Sequence, residues 1–179
     1  MHFDASNSEC RVFVRRAGLL AAVGHDLELR AAELAIDVDV ATLHVRARLP
    51  ARALEVVDAI EGRERRPGKL SAKDKTQIHE NLVSDVLEVA RFAAIEFEST
   101  RVEPAPDGYR VHGRLSLHGQ TRALTFMAKR NGARLSGEVG IHQPDFGIEP
   151  YRALGGTLRI RPDVSVVFEL PDPMAATSG

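Results

Sequence analysis

Apolar side chains recur at every second position through most of this chain of 179 residues. Cys10, Val12 and Val14 share one parity, and Arg11, Phe13 and Arg15 take the other. Leu27 and Leu29 follow, then Leu34, Ile36, Val38 and Val40, then Leu43, Val45, Ala47 and Leu49. The second half repeats the pattern in Ile95 and Phe97, in Tyr109, Val111, Leu115 and Leu117, and in Leu135, Val139 and Ile141. Successive side chains of a strand point to opposite faces, so each run has one apolar face and one wet face. Residues 121–130 read as a strand with apolar groups on both faces. The longest run, 158–170, contains Pro162, which marks a bulge or an edge. Pro106-Asp107-Gly108, His118-Gly119 and Asn131-Gly132 punctuate the runs as hairpin turns. The pattern predicts about eight or nine strands joined mostly by short turns, in an antiparallel barrel or sandwich. No long helical runs alternate with the strands, which argues against a doubly wound parallel sheet.

One helix is predicted over 71–87. Ser71 is a good N-cap with Asp74 three residues on, and Ile78, Leu82, Val83, Val86 and Leu87 recur at helical spacing. A polar loop, Glu61 to Gly68, precedes it, and residues 17–24 read as a short apolar helical turn. The length suits one domain. The expected division is an N-terminal tail at 1–8, a barrel domain at 9–170 and a disordered tail at 171–179. Lys and Arg number 24 against 25 Asp and Glu, so nucleic acid is not the expected partner. A lone cysteine, Cys10, excludes an internal disulfide and a cysteine-based zinc site. No apolar run reaches the roughly 18 residues of a transmembrane helix. Residues 1–9 lack the basic and apolar regions of a secretory signal, so a cytoplasmic location is expected.

The residues offer little catalytic chemistry. None of the seven histidines lies at HxH, HxxH or HExxH spacing, so no metal site is expected. His25-Asp26 after Gly24 reads as a turn with a capping aspartate. Cys10 falls on an apolar strand face and reads as a small hydrophobe. There is no GxSxG, phosphate-binding loop or GxGxxG, and Asp145-Phe146-Gly147 stands without any other kinase element. No catalytic residue is assigned. Two alternatives stay open: an enzyme acting on a small hydrophobic substrate with His25 or His118 as general base, and a solid-core interaction or stress-response module.

A closed barrel of about eight strands turns its apolar faces inward and either packs solid or holds a small ligand. There is no Trp and aromatics are 5%, which favours a cavity, because aromatics fill a lumen most efficiently. The expected lining includes Val12, Val14, Leu27, Leu29, Leu115, Leu117, Val166 and Phe168 by parity, and Phe126 and Phe146 by position. A long apolar ligand gains about 0.8 kcal/mol for each buried methylene. Arg15, Arg16 and Arg152, near strand ends, are the candidates to pair with a phosphate headgroup at the mouth.

The order of motifs resembles the YceI-like family, polyisoprenoid-binding proteins with a lipocalin-like antiparallel β-barrel. Residues 92–102 (FAAIEFESTRV) are similar to the family's strand after the helix. Residues 107–125 (DGYRVHGRLSLHGQTRALT) resemble its D-G-Y hairpin, and 145–148 (DFGI) its D-[FW]-G-[IL] element. Val164 to Leu170 fits the closing strand, and Cys10 to Val14 with the Gly24 region fits the opening more loosely. The resemblance implies binding, storage or transport of an isoprenoid-type amphiphile, such as a quinone-like precursor or a polyprenyl phosphate, without catalysis. Pairing is common in the family, so the resemblance points to a homodimer, and transient contact with a membrane is left open beside it. Many members carry a signal peptide, which this sequence does not show. The G-H-D-L opening resembles a variant subgroup, which leaves the identity of the ligand open.

Overall fold

The computed structural model describes residues 1–17, 24–153, 155 and 158–175. Its strands are β1 (His2–Asp4), β2 (Glu9–Val14), β3 (Arg16–Ala17), β4 (Asp26–Ala31), β5 (Ala35–Asp39), β6 (His44–Pro50), β7 (Leu54–Glu61) and β8 (Glu64–Arg65). Helix α1 (Ala72–Asn81) and a π-helical turn (Leu82–Val86) lead to β9 (Ala94–Ala105), β10 (Gly108–Leu117), β11 (Gln120–Asn131) and β12 (Arg134–His142). β13 (Arg152–Ala153), β14 (Leu158–Ile160) and β15 (Asp163–Pro171) complete the chain. Twelve strands form one antiparallel sheet in the order β1-β5-β6-β9-β10-β11-β12-β15-β2-β4-β7-β8, and β13-β14-β3 form a second small sheet. The large sheet curls into a half-barrel around one apolar core.

The alternation in the sequence becomes the two faces of this sheet. Register aligns His2, Asp37, Arg46, Glu98 and Arg114 across five successive strands on the outer face. His2 Nδ1 lies 2.8 Å from Asp37 Oδ1, and Arg46 Nε 3.0 Å from Glu98 Oε1. Such exposed pairs add little stability one by one. They keep the outer face wet and leave the inner face to Ile36, Val38, Val111 and Leu135. Two inward positions are glycines. A Cβ on Gly113 would meet Phe97 Cζ at 2.3 Å, and one on Gly137 would meet Phe168 Cζ at 2.4 Å. Each ring therefore lies against the backbone of a neighbouring strand.

The strand count exceeds the expected eight or nine, for physical reasons. β1, β3, β8, β13 and β14 have two or three residues each, too few to show a period. β7 is long but shows no clean alternation, because Asp58, Ala59 and Ile60 are buried in succession. α1 covers its outer side: Lys75 Nζ donates to Val57 O at 2.7 Å and lies 3.6 Å from Asp58. Pro162 divides the 158–170 run between the two sheets rather than bending one strand. The helix starts at the expected cap, with Ser71 Oγ and the Asp74 carboxylate each bonded to the other's backbone N–H. It ends earlier than 87, in the π-helical turn. The helical turn expected at 17–24 falls mainly on residues outside the described ones.

The described parts of both expected tails, residues 1–8 and 171–175, make contacts with the sheet. Phe3 is buried, β1 pairs with β5, and the Met1 amino group donates to Val38 O at 2.6 Å. At the other end Pro171 finishes β15, and Asp172 is buried against Arg130 Nε at 2.5 Å. A short edge strand holds His2 to Asp4 and an ion pair holds Asp172, and neither leaves a hydrophobic period to read.

The expected polar loop contributes β8, which places Arg65 over Glu28 of β4. Glu28 is 1% exposed and accepts two bonds, from Arg65 Nε at 2.8 Å and Nη2 at 2.7 Å. The Arg65 hydrogen bonds hold the Glu28 carboxyl below its usual range, against the upward push of burial. A depressed carboxylate contributes stability above its unfolded pKa and loses it as pH falls through the folded one. Wild type should therefore lose stability relative to Glu28→Gln as pH drops below about 4.5, read from urea unfolding midpoints across pH. At neutral pH, Glu28→Gln should cost about 1–2 kcal/mol, Arg65 being half exposed. Gly137→Ala should cost about 1–3 kcal/mol in the same assay, because Phe168 must leave its seat.

Candidate functional site

The inner face encloses a cavity of about 290 Å³. Val12 and Val14 line it from β2, Leu29 from β4, Leu115 and Leu117 from β10, Phe126 from β11, and Val166 and Phe168 from β15. These are eight of the ten residues expected there. Phe97, Phe126 and Phe168 form a ring cluster, with centroids 5.5 and 5.3 Å apart. No charged side chain reaches the lining among the described residues. Its polar groups are few. Tyr109 OH accepts from Arg130 Nη2 at 3.0 Å, and Gln143 Nε2 donates to Arg161 O at 3.0 Å. Cys10 also lines the cavity, and burial pushes its thiol up to about 11.

Two expected lining residues lie elsewhere. Leu27 has the inward parity but sits nearer the strand end, where it lines a second cavity. Phe146 is 2% exposed, yet it belongs to a 3₁₀ turn at the end of β12 and packs into the wall. Gln143 and Ile148 from that turn and its exit line the cavity instead. Other lining residues, such as Ile36, Val38, Val111, Val139 and Leu170, carry the same parity signal. Leu82, Val86 and Leu87 also face the lumen. Their helical spacing had marked them only as a packed helix face.

The second cavity, of about 460 Å³, is the mouth. It shares Val14, Leu29, Leu82, Val86 and Gln143 with the lumen, so the two adjoin. α1, the small sheet and the segments flanking them frame it with polar groups: Arg16, His25, Lys69, Asp74 and Arg159, with Gln77, Asn81 and Tyr151. Gln77 Nε2 donates to Asn81 Oδ1 at 3.1 Å, and Asn81 Nδ2 donates to Tyr151 OH at 3.0 Å, tying helix to sheet.

Of the three candidate headgroup arginines, the fold brings only Arg16 to the mouth. Arg15 Nη1 lies 3.0 Å from Asp26 Oδ2, and the Arg16 N–H donates to Asp26 Oδ1 at 2.9 Å. Burial pushes the Asp26 carboxyl up, but the Arg16 N–H and the Arg15 guanidinium outweigh it and hold it below the ordinary range. Arg152 lines neither cavity and lies 3.4 Å from Glu149. Lys69 and Arg159 are mouth cations that no periodicity marks.

The candidate general bases lie apart. His25 lines the mouth, but Asp26 is committed to Arg15 and Arg16 and does not orient it. His118 lies under Phe92, ring centroids 4.3 Å apart, and lines neither cavity. Among the described residues, no group of three or more His, Cys, Asp or Glu is arranged to hold a metal ion. None of their helices is long and apolar enough to cross a membrane.

A comparison with curated proteins finds no match. Among solved structures, the fold resembles BcnA of Burkholderia cenocepacia, with a TM-score of 0.62 at 14% identity, over 91% of this chain and 94% of that one. It also resembles a polyisoprenoid binding domain from Saccharophagus degradans implicated in plant cell wall breakdown. There the TM-score is 0.57 at 12% identity, over 96% of this chain and 98% of that one. At such identities the likeness speaks for the fold alone. The family model of the YceI-like domain matches residues 2–171, from the first strand of the curled sheet to the last. With that span matched, the chain belongs to the YceI-like family.

Proposed function

We propose that this protein binds an isoprenoid-type amphiphilic lipid, with the tail in the lumen and the head at the mouth, and so stores or carries it. The observation that carries the reading is a lumen without a charged side chain that adjoins a mouth framed by polar ones. Each buried methylene contributes about 0.8 kcal/mol, so a tail of several isoprene units binds without any dedicated polar contact. The open lumen favours this over a solid core. The relative from Saccharophagus degradans, described as polyisoprenoid-binding, supports the choice of tail. Arg16 and Lys69 are the cations nearest the head, with Arg15 acting through Asp26. In this reading the protein binds its ligand and does not transform it.

Organic extraction of the purified protein followed by mass spectrometry should yield a near-stoichiometric isoprenoid or quinone-like species. No such species, even after incubation with polyprenyl lipids, overturns the reading. Leu117→Arg sets a charge in the lumen and should weaken lipid retention at least about tenfold while the circular dichroism stays native. Unchanged uptake by that variant would count against the lumen as the binding site. Cys10 offers an independent probe. With its pKa about 11, only about a thousandth of the thiol is ionised at pH 8. Alkylation by iodoacetamide should be slow in the native protein, fast in denaturant, and slower still once a polyprenyl alcohol fills the lumen.

A further inference from the structure

The segment from Leu82 to Ala93 forms a strap over the lumen. Leu82, Val86 and Leu87 face inward from it. Its far end turns at Glu88, which has φ +45°, and the Arg91 and Phe92 N–H groups both donate to Glu88 O. That end rests on the β10–β11 hairpin. A Cβ on Gly119 would meet Phe92 Cε1 at 2.6 Å, so the glycine makes the seat for the ring. His118, the other hairpin residue, has φ +51°, a conformation that non-glycine residues seldom hold without support.

The His118 ring lies between two oxygens. Nδ1 is 3.3 Å from Phe146 O, and Nε2 is 3.5 Å from Glu88 Oε1. The side chain is 9% exposed, and Nε2 has no hydrogen-bond partner. Both oxygens are acceptors, whereas a neutral imidazole carries one N–H and one lone pair. Either neutral tautomer therefore sets a lone pair against an oxygen. Only the imidazolium offers an N–H to each. Among the described residues, the elements packed against it carry charges that are turned to other partners or to solvent. On the strap, Arg91 grips the other Glu88 oxygen and lies 4.9 Å from the Phe92 ring centroid. On the 3₁₀ turn, Asp145 is exposed. On β11, Arg122 turns to the neighbouring Thr121 carbonyl at 3.0 Å.

We propose that His118 and Glu88 form a proton-operated latch that shuts the strap over the lumen in mild acid and loosens it at neutral and alkaline pH. Protonation completes the Nε2–H to Glu88 bond and ties the strap to the hairpin and the Phe146 turn together. Deprotonation leaves one N–H for two acceptors, so the ring holds Glu88 or the Phe146 carbonyl but not both, and the joint tie of strap, hairpin and turn is lost. Resting on the lipid-binding reading, the latch would govern exchange of the bound tail: held in acid, exchanged as pH rises.

Two measurements test it separately. Amide hydrogen exchange of the empty protein, corrected for intrinsic rates, reads the strap with no ligand present. Protection across residues 82–93 should fall about tenfold from about pH 5.5 to about pH 8 in wild type. It should stay flat in Glu88→Gln and in His118→Asn, the latter chosen because asparagine tolerates the left-handed backbone. The same pH response in wild type and both variants overturns the latch. Stopped-flow release of N-phenyl-1-naphthylamine, an uncharged apolar probe, reads the lumen. Release should be about tenfold faster at the higher pH in wild type only. A release rate with the same pH dependence in wild type and Glu88→Gln overturns the gating. Failure of the probe to bind counts against the lumen reading, and the exchange data still decide the latch.

Discussion

The unbroken antiparallel ladder from β1 to β8 is the constraint on which the rest of the molecule depends. It makes one face of twelve strands into a single surface, and curling turns that surface on itself. A slip of one residue in any pairing exchanges the faces of a strand. For β6, β9 and β10 such a slip would carry Arg46, Glu98 and Arg114 into the lumen. Their outer ion pairs are weak as stabilisers, but as charges that must stay wet they exclude the wrong register.

The lumen stays open because of where the aromatic rings go. Gly113 and Gly137 occupy inward positions, and the rings of Phe97 and Phe168 fill the space their side chains would take. Phe126 bridges the two. Most of the remaining inward positions are Val, Leu, Ile and Ala, which project less far. The ring cluster thus builds wall, and the interior remains apolar and partly unfilled. An empty apolar cavity forfeits contacts on every side, and an apolar ligand restores them.

Parity made the sheet and most of the lining legible in the sequence, because half-buried strands must alternate. Val12, Leu29, Leu115 and Val166 are readable for that reason alone. β7 was not, since α1 covers its outer side and buries Asp58 beside Ala59 and Ile60. Phe146 misled because its position follows a strand, while Pro144 and the left-handed Gly147 (φ +70°) make a tight turn there. The mouth has no period to read. Arg16, Lys69, Asn81 and Tyr151 come from four separate segments. Arg15 and Arg152 do lie near strand ends, but Asp26 and Glu149 neutralise them there, and proximity in sequence does not reveal those partners.

The cover of the mouth is built differently from the barrel it closes. No residue of α1 is buried. Polar contacts seat the helix: Lys75 on Val57 O, His79 Nδ1 at 3.1 Å from Leu54 O, and Asn81 on Tyr151. A typical hydrogen bond adds about 1 kcal/mol net, and the strap adds only Leu82, Val86 and Leu87 to the apolar lining. Regions held by few apolar contacts open locally at far less cost than global unfolding. On that ground α1 is expected to open at less cost than the ladder beneath it. The proposed lipid tail would need a wall that opens in part, and α1, with no buried residue, is the candidate.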